Sequence, residues 1–284
     1  MRAVSIRPIV MYCCIIVGFA GCSPSNLQDK EASAFERQKD FRWPDGKRAA
    51  ISLTFDDARF SQVDRGLPIL DEYGAKATFY VSIRSLEERV NDWRRAAANG
   101  HEIGNHSMTH PCSGNFPFAR ERALEDYTIE TIRSELEQAN KIIKRLLGVR
   151  PVSYAYPCGQ KFVGRGRNVK SYVPVVAEQF LAGRGWMDEW ANDPAFCDMA
   201  QLMAMELDGK DFEQVKQLID RTTANGGWLV FCGHEIGEGG RQTTLSATLK
   251  AICEYAQDPD NGLWLDSVEN VTRYILKERT KDRG

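Results

Sequence analysis

Apolar residues in this chain gather in short continuous runs, with helical spacing between them. Runs at 49–55, 75–83, 152–156, 202–207 and 228–232 have the length of buried strands. Shorter strands are expected at 101–105, 180–184 and 263–265. From 127 to 147, Ile129, Ile132, Leu136, Ile143 and Leu147 recur at helical spacing, and Gly148 supplies the stop. Helices are also expected at 66–73, halted by Gly74, and at 85–99, where Ser85 is the N-cap with Glu88 three residues on and Gly100 ends the element. Further helices are read at 173–179, 212–223, 245–255 and 268–276. Strand and helix alternate about seven times without a polar linker, which predicts a single α/β domain on a parallel sheet, wound open or closed into a barrel.

In a barrel of this kind chemistry gathers where strands end. Asp56, Asp57, His106, Pro157, Arg184 and His234 all stand at such ends. Asp56 and Asp57 close the first buried run, and an unpartnered buried carboxylate is costly enough to need a partner, a proton or a metal. A solvated turn is the competing explanation, since Asp favours turns. The glycine-rich segments 162–168 and 237–240 lack phosphate-loop spacing and read as flexible rim loops.

The chain has four histidines, three of them at His101, His106 and His110. On a helical turn His106 and His110 would share a face and reach one ion. One added carboxylate makes a His₂Asp set with open positions, a usual composition for catalytic zinc. Capping or core histidines are the alternative.

Acidic and basic residues nearly balance at a formal net charge of −2, and no basic, aromatic-interleaved stretch points to nucleic acid. Residues 1–22 have a basic start (Arg2, Arg7), a short apolar core and the ending Phe19-Ala20-Gly21-Cys22. That is a secretory signal, and its small-small-Cys close resembles a bacterial lipobox, which implies lipidation of Cys22 and an exported protein anchored in the cell envelope. An ordinary signal peptide cut nearby is the alternative. Residues 23–46 read as a tether, 47–277 as the domain and 278–284 as a polar tail. Cys112, Cys158, Cys197, Cys232 and Cys253 are an odd set with no CxxC pair, so a structural zinc site is not expected and no disulfide is assigned.

Thr54-Phe55-Asp56-Asp57, His106-Ser107-Met108-Thr109-His110, Tyr156-Pro157-Cys158-Gly159 and the late 229–234 strand resemble, in order and spacing, the motifs of the polysaccharide deacetylase family (the NodB homology domain, carbohydrate esterase family 4). The resemblance runs from about Lys47 to Leu276. It implies a distorted (β/α) barrel, one divalent metal, usually zinc, and removal of acetyl groups from acetylated glycans. It further implies that Asp57, His106 and His110 hold the metal and that Asp56 is the general base. His234 would be the general acid, with the backbone N–H of Cys158 helping to hold the oxyanion. Tyr156, Pro157, Cys158 and Gly159 would contact substrate.

Three departures stand out. Ala155 occupies the position where the family usually has an arginine that orients the base, and Arg184 is the candidate substitute, with a surface arginine as the alternative. Trp186 or Trp190 is the candidate for stacking on sugar, with core packing as the alternative. Cys232 stands where Leu is usual two residues before His234. Two rival functions remain open: hydrolysis of another C–N bond, such as a cyclic imide or amide, and a non-catalytic carbohydrate-binding lipoprotein.

Overall fold

A computed structural model describes residues 41–281. Eight strands form one parallel sheet: β1 Ala49–Asp56, β2 Thr78–Val81, β3 Glu102–Asn105, β4 Ser153–Ala155, β5 Ala182–Arg184, β6 Met205–Glu206, β7 Trp228–Gly233 and β8 Leu263–Leu265. Their order is β5-β4-β3-β2-β1-β7-β6, with β8 paired to the start of β1 through Ala49↔Leu263. Every residue of β1, β2 and β7 is buried, which is why these strands read as unbroken apolar runs. The sheet curls until its edges meet at a single parallel bridge, Arg184↔Leu202. Leu202 N–H donates to Gly183 O at 2.7 Å and Gly185 N–H to Leu202 O at 2.8 Å. The result is a distorted (β/α) barrel whose strand C-termini share one mouth.

Helices cover the outside: α1 Leu67–Glu72, α2 Ile83–Glu88, α3 Val90–Ala98, α4 Ile129–Leu147, α5 Val173–Gln179, α6 Phe212–Ala224, α7 Ser246–Gln257 and α8 Val268–Lys281. The main core lies between sheet and helices, where Phe79 stacks on Phe55 at 5.6 Å and meets Trp93 edge-on at 5.4 Å. A second core of Trp43, Trp228, Val230, Val271 and Ile275 lies under α8.

Several expectations change. The helix expected at 85–99 starts at Ile83 and breaks at Arg89 (φ −135°, ψ 36°), so Ser85 is inside α2 and caps nothing. The Arg89 guanidinium ties Asp92 locally at 2.5 Å and reaches Asp64 at 2.6 Å, a long-range contact that the helical pattern does not carry. The element expected at 66–73 starts earlier, with a π turn at Gln62–Gly66. Gln62 Nε2 donates to the carbonyls of Asp56 (2.6 Å) and His234 (2.8 Å), pinning the exits of β1 and β7 together.

The glycine-rich segments are not free loops. Phe162–Val163 pairs with Lys170–Ser171, and Glu235–Gly237 with Thr243–Leu245. The end of the expected tether packs on the domain: Trp43 is buried, donates to Gly226 O at 2.9 Å and stacks on Tyr274. The expected polar tail is helical through Lys281, where Arg279 donates to the carbonyls of Pro194 and Cys197. The expected signal and Cys22 lie outside the described residues.

Candidate active site

β1 delivers two carboxylates and the backbone then separates them. Asp56 is the last strand residue, whereas Asp57 and Ala58 take positive φ of 74° and 53°. That turn, unfavourable for L-residues, sends the two side chains to different partners.

Asp57 Oδ1 lies 3.6 Å from His106 Nε2 and 3.7 Å from His110 Nε2. The three ligand atoms fall within 4.8 Å of one another. The histidines do not share a helix. Ser107 and His110 both have positive φ, in a turn held by Asn105 Oδ1 accepting from Ser107 N–H (2.6 Å) and Ser107 Oγ accepting from His110 N–H (2.9 Å). His106 Nδ1 faces Ala155 O at 3.0 Å. A carbonyl only accepts, so Nδ1 carries a proton and Nε2 is the nitrogen that faces the site. Burial, reinforced by His106, pushes His110 down to about 4, keeping it neutral. Burial disfavours charge on Asp57, but His106, His110 and Arg59 outweigh it and hold its pKa below the usual range. Two imidazole nitrogens and one carboxylate oxygen fit a divalent cation. The other cluster among the described residues, His110 with Cys112 and Cys158, is disqualified because the two sulfurs form a disulfide.

Asp56 is 4% exposed and has a different set of partners. Arg184, itself fully buried, donates from Nη2 to Asp56 Oδ1 and from Nη1 to Gly185 O at 3.0 Å, while its Cζ sits 4.8 Å from the Tyr80 ring centroid. Arg184 is the register partner of Ala155. The guanidinium therefore enters from the strand beside Ala155, the position where the resemblance leads one to expect an arginine. Burial alone would raise the Asp56 pKa, but Arg184, His106 and His234 together hold it well below the usual carboxylate range. Burial pushes the Cys232 thiol well up, so it stays protonated and donates to Asp56 Oδ2 at 3.4 Å.

His234 follows β7. Its Nδ1 lies 2.7 Å from Asp208 Oδ2, leaving Nε2 for the cleft. Asp208 is held in turn by Thr244 Oγ1 at 2.8 Å and the His234 N–H at 3.2 Å. Burial opposes protonation of His234, yet the Asp208 hydrogen bond and the Asp56 charge prevail and raise its pKa. Sequence reading missed Asp208. The available signal was its position at the end of β6, where the other strand ends already carried suspicious residues.

Cys158 has φ 53° and is bridged to Cys112, whose Sγ is 3.6 Å from His110 Nδ1. The disulfide thus joins the third motif to the histidine turn. Gly159 (φ 68°) lets Trp186 approach, since a Cβ there would meet the Trp186 backbone N at 3.2 Å. Trp186 lines the cleft with its ring 5.7 Å from His234. Tyr156 and Pro157 turn inward instead. Tyr156 donates its hydroxyl to Ala200 O at 2.8 Å within an aromatic core, so its side chain offers substrate nothing. Trp190 is exposed beneath Arg221, away from the cleft. The cleft has a volume of about 760 Å³ and brings together Asp56, Asp57, His106, His110, Cys158, Trp186 and His234, with Phe116 and Phe118 also on its wall.

Residues 44–172 match the model of the polysaccharide deacetylase family. A gellan lyase from a Bacillus species is 33% identical over 264 residues, which is 84% of this chain but only 10% of that protein. A peptidoglycan-N-acetylglucosamine deacetylase of Bacillus cereus is 32% identical over 114 residues, 40% of this chain and 38% of that protein. The chain thus spans less than half the length of these curated relatives. A putative polysaccharide deacetylase from Mycobacterium smegmatis has the same fold, with a TM-score of 0.60 at 18% identity, covering 84% of this chain and 94% of that one. The motifs, the matched segment and the shared fold point the same way: residues 44–172 fit the polysaccharide deacetylase family model, on a fold that a putative polysaccharide deacetylase shares.

Proposed function

We propose that this chain is a metal-dependent hydrolase that removes acetyl groups from an N- or O-acetylated carbohydrate. One observation carries the reading: Asp57, His106 and His110 converge at the cleft, beside an Asp56 held by Arg184 and a His234 held by Asp208. Two imidazoles and a carboxylate suit zinc. A divalent cation held there supplies Lewis acidity, polarising the acyl oxygen and acidifying water.

The chain's own residues supply the rest. Asp56, kept ionised by Arg184, takes a proton as water adds to the acetyl carbon. The N–H of Cys158 donates to the oxygen that becomes negative. His234, kept protonated by Asp208, gives its proton to the departing amine or alcohol, and acetate is released. Trp186 closes one wall against the sugar.

The site of action in this reading is the cell envelope, with Cys22 lipidated. The Cys112–Cys158 disulfide supports export, because such bridges persist in oxidising compartments. Acetate release from acetylated chitooligosaccharide, peptidoglycan and xylan, by metal-loaded protein against a chelated control, tests the function. Release that is metal-dependent is the expected result. Hydrolysis of small cyclic imides with all glycans left intact would replace this reading with the other C–N activity.

A further inference from the structure

The cleft differs in charge from the chain around it. Overall, acidic residues outnumber basic ones, 39 to 37. Yet beyond Asp56 and Asp57, every permanently charged side chain on the cleft wall is an arginine: Arg59, Arg84, Arg122 and Arg241. Arg59 is engaged, bonding Asp57 at 2.8 Å and standing 3.8 Å from Glu235. The other three have no ion-pair or side-chain hydrogen-bond partner among the described residues. Arg84 and Arg241 are exposed, while Arg122 is half-buried with its Nε out of reach of both water and any acceptor.

A solvated protein rim ordinarily mixes signs, and buried N–H donors ordinarily find acceptors. Here three guanidinium groups, each a fork of donors, come from three separate segments: α2, the loop after His110 and the loop after His234. No local helical pairing accounts for them. Guanidinium is the side chain best matched to carboxylate, and a cleft of one sign concentrates ligands of the other. Three guanidinium groups from three segments on one cleft wall fit charges repeated along a polymer better than a single dianion.

We infer that the cleft takes an anionic glycan, an acetylated polysaccharide whose neighbouring sugars carry carboxylates bound by Arg84, Arg122 and Arg241. The acetyl part of this inference rests on the proposed function; the carboxylate part rests on the arginines.

The test is calorimetric binding of metal-loaded protein to an O-acetylated polyuronate oligosaccharide and to the same oligosaccharide with its carboxylates reduced to alcohols. The carboxylated form should bind at least about tenfold more tightly, as charge-assisted hydrogen bonds provide. The preference should shrink with added salt. In the Arg84→Gln, Arg122→Gln, Arg241→Gln triple variant, affinity for the carboxylated form should fall to that of the reduced form. If the triple variant does not fold, Arg84→Gln and Arg241→Gln, both on exposed side chains, should each weaken binding severalfold. Equal wild-type affinity for the two oligosaccharides overturns the inference. Tight, carboxylate-dependent binding with no acetate released from any glycan would instead sink the deacetylase reading and leave this inference standing.

Discussion

Replacing Arg184 with methionine keeps much of the side chain's volume and deletes its charge. In the native protein the guanidinium is fully buried and bonded to Asp56 and to Gly185 O. Removing one member of a buried pair leaves the other as an uncompensated charge and costs about 3–5 kcal/mol. At the low end, about 3 kcal/mol corresponds to a fall in Tm of roughly 6–12 °C for a domain of this size. The sign of the pH effect follows from Asp56, whose folded pKa is lowered. Its ionised form therefore contributes stability above the unfolded value of 3.8, lost as pH falls through the folded value. Without Arg184 the dominant influence on Asp56 is burial, which raises the pKa. The acid limb of kcat/KM should accordingly move to higher pH. Urea unfolding and a pH–rate profile measure both effects, and Asp56→Asn added to Arg184→Met should recover much of the lost stability. An Arg184→Met protein with an unchanged urea midpoint and an unchanged acid limb refutes the reasoning.

Asp208→Asn removes the hydrogen bond that helps keep His234 protonated. A raised histidine pKa contributes stability below the unfolded value of 6.5 that is lost as pH rises through the folded value, so the variant should lose stability on the acidic side and its alkaline activity limb should move to lower pH. An alkaline limb that stays put would show that His234 is not the acid. Cys112→Ser with Cys158→Ser opens a bridge across 46 residues, and loss of up to about 4 kcal/mol is expected by urea unfolding. Because the bridge also ties Cys158 to the histidine turn, kcat should fall more than KM rises.

The framework was legible because β1, β2 and β7 are buried on both faces, and such strands leave unbroken apolar runs in the sequence. Where the pattern failed, side-chain contacts decided the geometry. At the break between α2 and α3, Arg89 meets Asp64 from an earlier element, a contact the helical pattern does not carry. Likewise the turn joining His106 and His110 is built by Asn105 and Ser107 side chains, which the HxxxH spacing alone does not distinguish from a helix. Disulfide connectivity is invisible in one sequence. Asp208 directly follows the apolar run 202–207, so its place at a strand end is legible, but its bond to His234 joins residues 26 apart and is not. Arg184 was legible because it ends the expected strand 180–184, and parallel register sets it beside Ala155.

In the proposed mechanism two adjacent carboxylates divide the work, Asp56 as base and Asp57 as metal ligand. Metal content of Asp57→Asn and Asp56→Asn proteins, each dialysed against zinc and measured by mass spectrometry beside the wild type, tests that division most directly. The wild type and Asp56→Asn should each retain about one equivalent, as a three-ligand catalytic site does. Asp56→Asn should nevertheless release no acetate, and Asp57→Asn should fall toward zero metal. Equal metal loss in the two variants would contradict the assignment of Asp56 as base and Asp57 as ligand.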